Sequence, residues 1–214
     1  MFTLNILVVN VENTLTMSFH TTKNKKPVLP HVIFKGRDIP YNTETKFLGT
    51  CMNENMNWNN HIKYLSSKLN TSYYMISSVK NVMSPYVVRT MYFACFHVHL
   101  RCGLTLWGGD PESIRIFRLQ KKVIRVIGKA GRHVSCRNLF KDLNILPLPC
   151  LYISEVVRCV KSNMENMKEN EMKKYMTIVH AKIQIFILNF AEILFLKTLV
   201  QIWVQNYAIN CLTK

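Results

Sequence analysis

"KFLGTCMNENMNW", residues 46–58, is where the reading of the chain turns. An apolar triplet and a glycine come first, then a polar run, then a lone tryptophan. Upstream of it, apolar and β-branched residues come in short stretches. Downstream they fall at helical spacing. Gly49 permits a tight turn or a close backbone approach, and Phe47 and Leu48 are expected to anchor that turn in the core. An ordinary buried strand end accounts for the two side chains equally well.

Working upstream, residues 4–50 read as a few strands: "LNILVVNV", "LTMSFH", "HVIFKGRDI" and "KFLGTCM". Polar or turn-forming stretches such as "TTKNKKPVLP" separate them, and "KGRD" fits a hairpin turn. Working downstream, Trp58, Ile62, Leu65, Leu69, Tyr73, Ile76 and Val79 lie three or four apart and make one apolar helix face. Ser84 and Pro85 open a second helix, as N-cap and first helical residue. It runs apolar through "VVRTMYFACFHVHLRCGLTLW" to Gly108 and Gly109. Asp110-Pro111-Glu112 opens a third, ending near Gly128. A short helix from Ser135 and another after Pro147 and Pro149 carry the helical region to about Glu169. The expected fold class is α+β: short antiparallel strands over 1–56, a mainly helical region over 57–169, and an unassigned apolar tail over 170–214.

In 214 residues, 28 are basic and 12 acidic, a net charge of +16. So strong an excess predicts a polyanionic partner, nucleic acid or an acidic membrane surface. The seven cysteines include no CxxC and are irregularly spaced, which points to reduced thiols in an intracellular protein. The apolar start has no basic segment before it and no small-residue cleavage site after it, so a strand fits better than a signal peptide. No turn or capping signal precedes that strand, and a domain beginning further upstream is expected.

The third helix concentrates the charge. Arg115, Arg118, Lys122, Arg125 and Lys129 recur at steps of three and four, with Lys121 at the flank. Ile116, Phe117, Val123, Ile124 and Ile127 fall mostly on the other side. From 113 to 141 there are nine basic residues and no acidic one. A solvated face is the plain alternative, but solvated faces usually mix signs, so a phosphate-binding face is expected.

Several stretches together resemble the reverse transcriptases of LINE-type non-LTR retrotransposons, of the jockey-like kind. "LVVNVENTLTMSF" is similar to their late palm segment, "TKFLGTCMNENMNWNNHI" to their Phe-Leu-Gly hairpin and the entry to the thumb. "YFACFHVHLRCGLTLWGG", "RIFRLQKKVIRVI" and "SCRNLFKDLNILPLPCLYI" are similar to the helical segments that follow. The order and spacing, over residues 4–165, carry the likeness. It implies the end of a palm with a primer-grip-like hairpin at Phe47, Leu48 and Gly49, then a thumb-like region. It also implies a primer–template partner, a duplex or RNA–DNA hybrid held by its backbone without regard to sequence. Magnesium would be expected only of the intact enzyme.

Polymerase chemistry of that kind needs close carboxylates around two metals. The chain has three aspartates, Asp38, Asp110 and Asp142, no two adjacent, and Asn13 stands where the family has lysine. An inactive remnant is therefore expected, with no cofactor of its own. Rival readings are a basic binding or interaction protein without enzymatic activity and a membrane-associated basic protein.

Weaker constellations complete the reading. Cys95, His99 and Cys102 would share a helix face but lack a fourth zinc ligand, and His133 with Cys136 lacks a third group. Residues 183–204 are interrupted by Asn189, Glu192, Lys197 and Gln201. A charge at mid-bilayer costs about 2.5–3.5 kcal/mol, which disfavours a span there. Met176 to His180 reads as a family-like segment shifted by one base, so a frameshift origin is expected for the tail. The genomic reading frame checks this.

Overall fold

The two β-hairpins turn on the same device. In each, two consecutive residues have positive φ: Lys35 (49°) and Gly36 (73°) in one, Leu48 (46°) and Gly49 (84°) in the other. That is the type I′ pattern, whose twist matches that of the flanking strands, with glycine supplying the second left-handed residue at little cost. The computed structural model describes residues 10–21 and 31–163. The chain forms two compact units, Met1–Tyr64 and Leu65–Lys214.

In the first unit, β1 (Ile33–Phe34) pairs antiparallel with β2 (Arg37–Asp38), and β3 (Glu44–Phe47) with β4 (Thr50–Asn53). Among the described residues the expected strand at 15–20 makes one isolated bridge, Thr16 to Tyr41. Val11–Asn13 is a 3-10 turn, and residues 4–9 of the expected first strand lie outside the described residues. The polar run after β4 caps rather than packs. Asn53 Oδ1 accepts from the Asn57 amide at 2.7 Å, and Asn57 Oδ1 accepts from that of Asn59 at 2.8 Å, opening helix α1 (Asn59–Val79). Trp58, His61 and Ile62 are buried, together with Thr50 and Ile39. In a two-residue hairpin the Lys46–Cys51 pair is not hydrogen-bonded, so the Cys51 amide points outward, and His61 Nδ1 accepts it at 3.3 Å.

The second unit is helical: α1 from Leu65 onward, α2 (Pro85–Met91), a π-helical stretch Tyr92–His97, α3 (Val98–Arg101), α4 (Leu104–Trp107), α5 (Ser113–Ile127), α6 (Cys136–Asp142) and α7 (Leu148–Asn163). Ser84 Oγ accepts from the Val87 amide with Pro85 next to it, and Ser135 caps α6, both as the sequence predicts. The expected continuous helix over 85–107 is not one. Its buried row is Val88, Tyr92, Phe96, Leu100 and Leu104, each four residues on. In an α-helix such a row drifts by about 40° per step, and the wider π turn brings it back into line. At Cys102–Gly103 the helix stops altogether. Gly103 is left-handed (φ 60°), and Trp107 Nε1 donates to the Cys102 carbonyl at 2.9 Å. With hairpins and helices both present, the described chain is of the α+β class.

Gln120 joins three segments of this core. It is fully buried on α5; its Nε2 donates to Tyr92 Oη (3.0 Å) and the Leu146 carbonyl (2.9 Å), and its Oε1 accepts from the Leu148 amide (2.7 Å) at the start of α7. Burial pushes the Tyr92 phenol well above its ordinary value, so it stays protonated.

Candidate nucleic-acid interface

Helix α5 separates its two sides cleanly. Ile116, Phe117, Val123, Ile124 and Ile127 are buried, as expected, and the basic residues lie opposite. Its C-terminus closes in a Schellman motif: the Ala130 amide reaches the Arg125 carbonyl (2.9 Å) and the Lys129 amide that of Val126 (3.3 Å). Lys129 therefore holds the left-handed position usual for glycine, with φ 50°. A cation suits the negative end of the helix dipole. The reversal carries Lys129 to Arg132 back beside the last turns of α5.

There the chain forms a groove of about 660 Å³. Lys122, Arg125 and Lys129 line it from α5 and its cap, and Arg132 from the loop beyond. Lys80 and Asn81 enter from the end of α1, with Tyr73 two turns earlier. Five cations from two segments of sequence thus converge, and no carboxylate is among the groove's described lining residues. Arg125 also fixes the wall: its Nε donates to the Val134 carbonyl at 2.9 Å.

The other predicted residues are elsewhere. Arg115 and Arg118 continue the exposed side of α5 outside the groove, and Arg115 pairs with Glu112 at 2.7 Å, a carboxylate just beyond the all-basic run. Lys121 lies over the Phe117 ring at 4.5 Å. Sequence reasoning missed Lys80 and took Tyr73 for a core residue; Tyr73 is half-buried at the margin of the apolar face. Its place two turns of α1 before the next groove residue, Lys80, is visible only once α1 and α5 are together.

Phe47, Leu48 and Gly49 form the tip of the β3–β4 hairpin. The expectation that Phe47 and Leu48 sit in the core is overturned: they are 59% and 82% exposed. Leu48 is a turn residue, and Phe47, on the last rung of the ladder opposite Thr50, lies beside that turn. The hairpin is held instead by its body. Lys46 Nζ donates to Tyr64 Oη (2.8 Å) while lying over the same ring, and Asn60 Nδ2 donates to Glu44 (2.6 Å).

The described residues do not fit a two-metal site. Asp38 is in β2, Asp142 ends α6, and Asp110 Oδ1 accepts from the Glu112 amide at 2.8 Å ahead of α5. Among the described residues no three His, Cys, Asp or Glu side chains gather to hold an ion. Cys102 has left the helix that carries Cys95 and His99. Cys136 is buried, its thiol donating to the Lys121 carbonyl, and burial pushes its pKa up, which does not suit a nucleophile. No described helix is long and apolar enough to cross a membrane, and the tail from 164 lies outside the described residues. Comparison with protein-family models, with curated proteins and with solved structures finds no match.

Proposed function

We propose that the chain is a remnant of a non-LTR retrotransposon reverse transcriptase that does not polymerise on its own and retains binding to the nucleic-acid backbone. One observation supports the binding above others: Lys80, Lys122, Arg125, Lys129 and Arg132 converge on one concave surface without an acidic neighbour among its described walls. Like charges brought together this way repel one another, and a phosphate backbone relieves the repulsion. The family origin rests on the order of the sequence stretches alone. A second reading, an interaction module, is favoured by the exposed apolar side chains Tyr74, Val82, Met83 and Tyr86 around the α1–α2 connection.

Binding to a duplex or hybrid at a series of salt concentrations tests the proposal. Neutralising about five phosphates gives a slope of log K against log salt near −4 to −5. Lys122→Ala with Arg125→Ala should weaken binding to every sequence and reduce the slope by about two. Arg158→Ala, which removes a cation paired with Glu155 at 3.1 Å, should change little. If the double variant keeps affinity and slope, the face is only solvated. With primer–template, nucleotides and magnesium, no extension is expected; template-dependent incorporation would overturn the inactive assignment.

A further inference from the structure

A stripe of cations is enough for a duplex, which offers its phosphates on the outside of a rod and keeps its bases stacked within. The groove has more than a stripe. It is concave and of a volume within the range of ligand pockets, about 300–1,000 Å³. Its cations come from separate segments, Lys80 from the end of α1, Lys122 and Arg125 from α5, and Arg132 from the loop. It also contains an aromatic ring. Tyr73 is half-buried, and the ring of Tyr74 meets it edge-on with centroids 5.5 Å apart, which limits its rotation. A half-buried ring in the wall of a groove lined with cations cannot reach a base stacked inside a duplex. It can reach an unpaired one, whose π-face is open, while cations on either side take the flanking phosphates.

We infer that this groove takes an unpaired strand, a base laid on the Tyr73 ring and the neighbouring phosphates held by Lys80, Lys122, Arg125 and Arg132. The inference rests on the phosphate-binding reading above and narrows it to a single-stranded stretch or overhang. Stacking accepts any base, so discrimination among sequences is weak.

The test uses the full chain and short labelled oligonucleotides, one unpaired RNA, one unpaired DNA and one blunt hybrid duplex with the same number of phosphates, read by fluorescence anisotropy. Tyr73→Leu keeps an apolar side chain without a π-face, and Tyr73→Phe keeps the ring. Tyr73→Leu should weaken both unpaired strands by about 5- to 150-fold, and leave the blunt duplex and the salt slope unchanged. Tyr73→Phe should bind as the parent does. Equal loss on strand and duplex, or no loss on either strand, overturns the inference. So does displacement of the strand by a mononucleotide at comparable concentration, which would make a free nucleotide the ligand. If instead Lys122→Ala with Arg125→Ala leaves every oligonucleotide bound as before, the phosphate-binding reading itself has failed.

Discussion

Helix α5 and the segment Pro85–Trp107 both run beside the same core, yet they are built differently. The buried positions of α5 step by three and one, 113, 116, 117, 120, 123, 124 and 127, which an α-helix keeps on one side without adjustment. Those of Pro85–Trp107 step by four from Val88 to Leu104, and the backbone widens into a π turn, stops at Cys102 and resumes as α4. The outer sides differ as well. Cations cover that of α5, while Val98 and Leu106 are exposed on the other segment. A regular backbone leaves α5 able to present a charged face at fixed intervals. The irregular segment depends on what it packs against.

That contrast can be tested at Trp107, which is fully buried and closes the break at Cys102. Trp107→Ala should cost about 3–5 kcal/mol in chemical denaturation. Arg118→Ala, on the outer side of α5, should stay within about 0.5 kcal/mol. A comparable loss at both would erase the distinction between the two segments.

Gly108 sharpens it. A Cβ there would lie 2.5 Å from Tyr152 Cδ2 and 2.6 Å from the Leu104 carbonyl oxygen, so α4 and α7 approach closely only because the side chain is missing. Gly108→Ala should cost about 1–3 kcal/mol by overpacking. An unchanged midpoint would mean that α7 can shift without cost.

At the end of α5 the expected sign reverses. Lys129→Gly relieves a left-handed lysine and should raise stability by about 0.5–1 kcal/mol. The same change removes a groove cation and should weaken nucleic-acid binding and lower the salt slope by about one. Loss of both stability and binding would show that the lysine, not the turn, holds the cap.

The smallest effect is pH-dependent. His97, in the π stretch, has its pKa lowered by burial and by Arg101, with Glu155 opposing; that of His61, under the β3–β4 hairpin, is lowered by burial. A folded pKa below the unfolded one means that the unfolded chain takes up protons first. Stability is therefore full above about 6.5 and lost as pH falls through the lowered folded values. NMR titration of the two imidazoles alongside denaturation midpoints checks this; a midpoint that rises on acidification contradicts it.

The sequence made α5 legible because its two periodic patterns, apolar and basic, agree with each other and with the turn signals that flank them, Asp110-Pro111 before and Gly128 after. The same holds for Ser84, Ser135 and the two hairpin glycines. Phe47 and Leu48 misled because an apolar residue beside a glycine fits a strand end and an exposed turn alike, and only the ladder register decides between them. The π stretch was legible in principle: Val88, Tyr92, Phe96, Leu100 and Leu104 keep a step of four, which drifts around an α-helix. The stripe gave half of the groove. Its other half, Lys80 and Tyr73, comes from α1, and no local pattern pairs residue 80 with residue 129.

Gln120 carries a consequence for the order of folding. Its three partners, Tyr92, Leu146 and Leu148, are 28, 26 and 28 residues away along the chain. None of these bonds can form until two long loops have closed around α5, whereas α5 itself needs only its own turns. The amide is thus a late lock rather than part of the nucleus. Gln120→Leu should mainly speed unfolding and leave the refolding arm of the chevron nearly in place.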